Sequence, residues 1–156
     1  MWKAILAADL AASPVSKLVL ALRGYGALAF QASGETLPER LERFGFTKLR
    51  EIPSHELVFG LAGRFWRPSG DLRRLTDGAA FDAFAEEGCV KAAWNLRIDE
   101  TDGRSCDLST ETRIMYFGVA ARRKFRLYWA LLGPFSSLLR RTLLASVKRG
   151  AKQAKG

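Results

Sequence analysis

The chain has 156 residues, of which 48% are apolar and 26% charged; this composition is typical of one globular domain and excludes an intrinsically disordered chain. Its net charge of +9 is uneven, because residues 1–111 hold 14 basic and all 16 acidic residues, whereas residues 112–156 hold the other 11 basic residues and no acid. Such a segment indicates either an anionic partner or, more simply, a solvated cationic face of a helix.

Neither a secretory signal nor a membrane-spanning segment is predicted. Asp9 interrupts the apolar start of the chain before a signal-peptide core can develop. The apolar stretch 18–30 contains Arg23 and two glycines and is shorter than the ~20 residues needed to cross a bilayer. Two cysteines give no disulfide framework, and we therefore expect a cytoplasmic protein.

The first third of the chain is predicted to be helical. Residues 2–8 and 14–23 have the pattern of short helices, the second with Ser13 as its N-cap. Residues 37–44 (LPERLERF) predict an amphipathic helix that Gly45 ends.

Apolar and polar residues then alternate with a period of two. This alternation predicts strands over 46–52 and 55–66, joined by a hairpin turn. The glycines of the second strand, Gly60 and Gly63, indicate a bend or bulge in it. Residues 67–88 are polar and predict a long loop with short strand or helix pieces.

The clearest pattern in the sequence is a hairpin of two strands, 89–99 and 105–116. The first strand is predicted to bury Val90, Ala92, Trp94, Leu96 and Ile98. The second is predicted to place on the same face Cys106, Leu108, Thr110, Thr112 and Ile114.

The C-terminal segment, residues 118–153, is predicted to be helical and basic. Its first part, 120–132, has a core-facing stripe at helical spacing, formed by Phe125, Tyr128, Trp129 and Leu132. Gly133-Pro134 is expected to break or kink the helix before it continues.

Several strings of this chain resemble a known family. They are GFTKLREIPSHELVFGLAGRFWRPSG (45–70), AAWNLRI (92–98), LSTETRI (108–114) and AARRKFRLYWALLGPFSSLLRR (120–141). Together they resemble small bacterial members of the START-like, polyketide cyclase/dehydrase (SRPBCC) superfamily over about residues 37–150.

The resemblance implies an α+β helix-grip fold, in which a curved antiparallel sheet packs on a long kinked C-terminal helix and encloses a hydrophobic cavity. Members of that superfamily bind lipids, polyketides or hormones, and a minority catalyse cyclisation or dehydration. One feature departs from the family, because the first strand is apparently missing and Met1-Trp2 already has a helical pattern. Either the true start lies upstream of Met1, or the protein lacks this edge strand. The strand over 105–116 would then be an unpaired edge, which favours a homodimer.

The main functional hypothesis is non-catalytic binding of a hydrophobic small molecule or lipid between sheet and helix. A filled core is an equally good interpretation of the same side chains. The predicted ligand-binding residues are Phe59, Leu61, Phe65, Trp94, Leu108, Thr110, Thr112, Phe125, Tyr128 and Trp129. Hydroxyl groups that face an apolar interior need hydrogen-bond partners, which a ligand, a water molecule or a neighbouring side chain would supply.

Catalytic residues, metals and cofactors are not predicted. The charged residues considered for catalysis are Glu111 and Arg113, followed by Arg64 and Asp71. Glu111 and Arg113 are expected on the outer face of the sheet, where a cross-strand pair with Arg97 or Lys91 is the simpler role. An enzyme of the cyclase or dehydratase kind is the third hypothesis.

Isolated reactive side chains and glycine loops have simpler explanations. His55 is the only histidine and is expected at a surface turn, since one histidine cannot form a zinc site. The glycines lack the spacing of a phosphate-binding loop. Cys106 is expected opposite about residues 96–98, on the other face from Cys89, so both are predicted to be free thiols.

The second hypothesis is an interaction module that binds an anionic surface, membrane or nucleic acid, through the basic helix. The residues expected to make that contact are Arg140, Arg141, Lys148 and Arg149. Nucleic acid is the less favoured surface, because no aromatic residue lies in 140–155 on which bases could stack.

Overall fold

The computed structural model describes residues 1–8, 17, 34–67, 71–100 and 105–153. It is an α+β fold in which a curved, unclosed antiparallel sheet of six strands packs against a long C-terminal helix. The predicted fold class is therefore confirmed. The helix predicted over 14–23 lies outside the described residues except at Lys17.

The helices and strands follow one another from an N-terminal helix to the long C-terminal one. In chain order they are α1 (Trp2–Leu6), α2 (Leu37–Arg43), β1 (Thr47–Ile52), β2 (Glu56–Gly63), β3 (Leu72–Arg73), α3 (Gly78–Ala83), β4 (Val90–Glu100), β5 (Cys106–Ser109), β6 (Thr112–Tyr116) and α4 (Val119–Gln153).

Local interactions set both ends of α2. The Glu39 carboxylate accepts hydrogen bonds from the backbone N–H of Thr36 at 2.7 Å and from its hydroxyl at 2.8 Å, which fixes the start of the helix. Gly45 follows the last turn with φ of +88°, a conformation that favours glycine. The helix predicted here is confirmed, and its buried Leu37 and Leu41 belong to the core.

The β1–β2 hairpin is confirmed. A register shift lies in β1, and within β2 the backbone departs from ordinary strand geometry at Gly63, whose φ is +144°. The register shifts between Lys48 and Arg50, so that Leu49 is the extra residue of a bulge. Gly60 has a different role, because a Cβ there would lie 2.6 Å from the ring of Phe81 in α3. This close approach allows α3 to cover the outer face of the sheet.

β4 is the central strand, and it pairs with β2 on one side and with β5 and β6 on the other. The second hairpin strand was predicted to be continuous, but it is divided at Thr110 and Glu111. At this break, the Glu111 N–H donates to the side-chain Oδ1 of Asn95 in β4 at 2.8 Å. This side-chain hydrogen bond takes the place of one backbone hydrogen bond of the sheet. No described strand pairs with the far side of β5 or β6, so they form an edge of the sheet.

The predicted register of this hairpin was wrong by two to four residues. Cys106 lies opposite Glu100 and not opposite residues 96–98. Cys89 is buried and Cys106 half-buried, and both are free thiols, as predicted. Burial raises the pKa of the Cys89 thiol.

Among the described residues, two clusters of buried side chains belong to the core. One joins α1 and α2 to β2, β4 and the end of α4, where Leu143 and Val147 are buried. The other surrounds Phe125 near the start of α4. The helix is not broken at Gly133-Pro134, although Pro134 has no N–H to donate to the preceding turn. None of the described helices has both the length and the apolar character needed to cross a membrane.

An ion-pair network joins β3 to the segment before β4. Arg73 donates to both Glu86 oxygens, at 2.8 and 2.7 Å, and to Asp71 at 2.6 Å. Arg64 contacts the same two carboxylates. The hydrogen bonds from Arg73 are the largest cause that lowers the pKa of Glu86 from 4.5 to about 2. The charged candidates Arg64 and Asp71 therefore pair with each other within a network that links two loops.

We predict that this network makes the fold acid-sensitive through Glu86. Because its pKa is lower in the folded chain than the ordinary 4.5, its contribution to the free energy of unfolding is complete above that pH and is lost as the pH falls towards about 2. Urea midpoints measured between pH 5 and pH 2.5 should fall less steeply for Glu86→Gln than for the natural chain. Asp82→Asn, which removes an exposed carboxylate of α3, is the control, and equal slopes for all three proteins would contradict the prediction.

Candidate functional site

A cavity of about 160 Å³ lies between the sheet and α4, and it is partly open to solvent. Its walls come from α2, the inner face of the sheet and the inner face of α4. The described residues that line it are Leu41, Phe44, Phe46, Leu61, Phe65, Leu72, Ala92, Trp94, Thr112, Ile114, Phe125, Tyr128, Trp129, Ser136, Leu139, Arg140 and Leu143.

Seven of the ten predicted binding residues line this cavity. They are Leu61, Phe65, Trp94, Thr112, Phe125, Tyr128 and Trp129. The other three lie beside it. Phe59 is fully buried under Trp94, with ring centroids 6.1 Å apart, and Leu108 packs on the core opposite Ile98. Thr110 is engaged in hydrogen bonds within the sheet.

Phe125 organises the aromatic wall of the cavity. It stacks on Trp129 at a centroid distance of 5.6 Å and contacts Tyr128 at 5.7 Å within α4. From the other layer, Phe65 and Tyr116 approach it edge-on at 6.0 and 5.5 Å. Such edge-to-face packing orients rings specifically, so this end of the cavity has a defined shape. Phe65 follows the end of β2 at Gly63, although the strand was predicted to reach residue 66.

Hydrogen bonds within the sheet fix the orientation of Trp94. Its indole Nε1 donates to the Thr110 hydroxyl at 2.6 Å, and that hydroxyl donates to the backbone oxygen of Asn95 at 2.7 Å. The Thr110 hydroxyl thus has a neighbouring side chain as its partner, which was one of the three possibilities predicted. Thr110 lies between β5 and β6, so the break between these two strands supplies the hydroxyl that fixes the orientation of Trp94 at the cavity.

The polar side chains of the cavity wall come from α4 and, at Thr112, from β6. Arg140 donates to the Thr112 hydroxyl at 2.8 Å and to Ser137 at 3.2 Å. Ser136 and Tyr128 add two more hydroxyl groups. Among the described lining residues there is no carboxylate, histidine or thiol, so the hydroxyl groups of Thr112, Tyr128 and Ser136 have none of these groups beside them in the walls to act as a base.

The charged residues of the outer face do not form the predicted cross-strand pairs. Glu111 pairs with Arg113, two residues further along the chain, at 2.9 Å, and Arg97 pairs with Asp99. Lys91 donates to two backbone oxygens of α3 at 2.9 Å each. His55 lies exposed at the β1–β2 turn, as predicted, and the described residues contain no cluster of potential metal ligands.

Two parts of the cavity were not predicted from the sequence: the wall that α2 forms, and Arg140, the only charged residue among the described lining residues. Leu41, Phe44 and Phe46 come from α2 and the residues after it, which lie far from the hairpin in sequence. The amphipathic pattern of α2 showed that it packs on something, but not on which element. Arg140 was assigned to the outer basic surface, yet it is half-buried at the cavity.

The outward side of α4 carries an exposed apolar surface that the sequence analysis did not identify. Leu127, Leu131 and Leu138 recur at helical spacing and are 76%, 70% and 43% exposed. Exposed cations flank them, namely Arg123, Lys124, Arg126 and Arg141. Lys148 and Arg149, which were predicted to contact an anionic surface, are also exposed.

Comparisons with family models, with curated proteins and with solved structures found no match to this chain. The START-like assignment therefore stays a prediction.

We predict that the Thr110 hydroxyl stabilises the fold by orienting Trp94. Thr110→Val leaves the indole N–H of Trp94 and the carbonyl of Asn95 without this partner, which should lower the free energy of unfolding by about 1–3 kcal/mol. Thr110→Ser keeps the hydroxyl and is the matched control. Urea denaturation checks the difference. A Thr110→Val variant as stable as the natural chain, or a larger loss in Thr110→Ser than in Thr110→Val, would contradict the prediction.

Proposed function

We propose that the chain binds a hydrophobic small molecule or lipid in the cavity between the sheet and α4 and does not transform it. The supporting observation is the composition of the walls: aromatic and aliphatic side chains from both layers surround a small group of hydroxyls and one guanidinium. Ligand sites for small molecules usually have this form, in which apolar walls give affinity and a few polar groups give orientation.

The size of the cavity limits the ligand. A volume of about 160 Å³ is close to the roughly 150 Å³ that holds one benzene molecule in an engineered protein cavity. The enclosed space thus suits one ring or a short acyl segment. A larger molecule would extend through the open side.

The chemistry of the walls favours carriage or sensing over catalysis. The absence of a carboxylate, imidazole or thiol from the described walls leaves no usual base to remove a proton from a bound substrate. This supports the non-catalytic hypothesis against a cyclase or dehydratase.

We predict that filling the cavity abolishes binding. Ala92 lines it and Ala93 points to the other face of β4, so Ala92→Phe and Ala93→Phe place the same ring on opposite sides of one strand. The neutral fluorescent probe N-phenyl-1-naphthylamine should bind to the natural chain and to Ala93→Phe, but not to Ala92→Phe. Circular dichroism checks that both variants are folded.

Native mass spectrometry of the purified natural chain, followed by solvent extraction, should release an apolar adduct. Equal binding of the probe by both variants would place the probe outside this cavity and contradict the proposal.

We propose a second candidate function, peripheral contact with an anionic membrane through the outward side of α4. The exposed leucines Leu127, Leu131 and Leu138 lie among cations in a segment, 112–156, that contains no acid. Apolar side chains with flanking Arg and Lys are typical of helices that lie in the interface of an anionic bilayer. Each basic residue near such a surface contributes about 1 kcal/mol.

This second candidate predicts selective sedimentation with anionic vesicles. The natural chain should co-sediment with vesicles that contain phosphatidylserine and not with pure phosphatidylcholine, and the double variant Leu127→Glu, Leu131→Glu should lose binding. Met115→Glu is the control, because Met115 is 54% exposed but lies on β6. Retained binding in the double variant, or loss in the control, would argue against this surface.

A further inference from the structure

Arg140 differs from the other basic residues of α4 whose side chains the structure describes, because its own side chain reaches the cavity. Its Nη1 donates to Thr112 of β6 at 2.8 Å, and its Nη2 donates to Ser137 at 3.2 Å. The two hydrogen bonds hold the guanidinium against the wall beside Ser136 and Leu139. The neighbouring Arg141 is exposed on the outside of the same helix.

The charge of Arg140 is not neutralised by any described residue. Both of its hydrogen-bond partners are neutral hydroxyls, and it makes no ion pair within the described part of the chain. A guanidinium has five N–H groups, of which these two bonds use two. The other three N–H groups are available to an acceptor at a largely apolar site, where a charge-assisted hydrogen bond is stronger than in water.

We propose that the ligand is an amphiphile with a single carboxylate, and that Arg140 binds this group while the ring or short chain of the ligand fills the aromatic end of the cavity. This inference rests on the proposed function as a hydrophobic-ligand binder. A planar guanidinium matches a carboxylate with two parallel hydrogen bonds. One cation also balances one negative charge, whereas a phosphate monoester with a charge of about −1.5 to −2 would leave excess charge beside apolar walls.

The hydroxyl groups near Arg140 support the same assignment. Thr112 accepts from Arg140 and keeps its own O–H to donate, and Ser136 provides a second hydroxyl in the same wall. Hydrogen-bond donors therefore outnumber hydrogen-bond acceptors among the side chains near Arg140. The two oxygens of a carboxylate would supply the missing acceptors. Thr112 acts as a positioning residue for the guanidinium.

The test compares an acid with its neutral amide of nearly the same shape. Calorimetry with 4-ethylbenzoate and 4-ethylbenzamide at neutral pH should show that the acid binds to the natural chain about tenfold more tightly, as expected for hydrogen bonds to a charged group. Arg140→Met should remove this preference by weakening the acid alone. Arg141→Met, which removes a charge one residue away on the outside of α4, should leave it unchanged.

Each contrary result has a distinct meaning. Equal affinity for acid and amide in the natural chain would overturn the carboxylate assignment while the apolar site stands. If the preference for the acid survives Arg140→Met, or if Arg141→Met removes it equally, the carboxylate does not bind at Arg140. If 4-ethylphenyl phosphate binds more tightly than the carboxylate, the carboxylate assignment is wrong and the head group is a phosphate. Failure of both the acid and the amide to bind would overturn the proposed function itself.

Discussion

The fold depends on the alternation of side chains along β4. This strand pairs with β2, β5 and β6, so the direction of its side chains determines which face of the sheet each neighbour presents to the core. Leu96 and Ile98 join the cluster near the end of α4, and Val90 joins the cluster around Phe125. Between them, Ala92 and Trp94 line the cavity. The small side chain of Ala92 leaves space at the point where two separately packed clusters meet.

Periodicity revealed the strands and their faces because burial repeats every two residues in a strand and nearly every four in a helix. It predicted the inner faces of the second hairpin and the stripe of α4, and seven predicted binding residues line one cavity. It could not predict contacts between distant segments. The approach of α2, the position of the bulge at Leu49 and the error of two to four residues in register depend on turn lengths and tertiary packing, which a local pattern does not encode.

The α4 helix combines two environments on opposite sides. Its inner side packs aromatic residues on the sheet, and its outer side exposes leucines among cations. A charge count treats all basic residues of the segment alike, yet Arg140 and Arg141 are adjacent in sequence and lie in different surroundings. The hydrogen bond to Thr112 distinguishes Arg140 from Arg141, and that bond requires the helix and β6 to be packed together. A function assigned to the basic segment as a whole would therefore confuse an interior charge with a surface charge.

The substitution of a backbone hydrogen bond by the side chain of Asn95 also bears on how the edge of the sheet could pair with another copy of the chain. A long, regular edge strand offers a row of free N–H and C=O groups on which another copy can add, and this is a common start of aggregation. Here the edge consists of a four-residue and a five-residue strand separated by Thr110 and Glu111. An incoming strand would find only short runs of regular pairing, next to the exposed charges of Glu111 and Arg113. A single asparagine in the central strand thus shortens the template that the neighbouring edge presents.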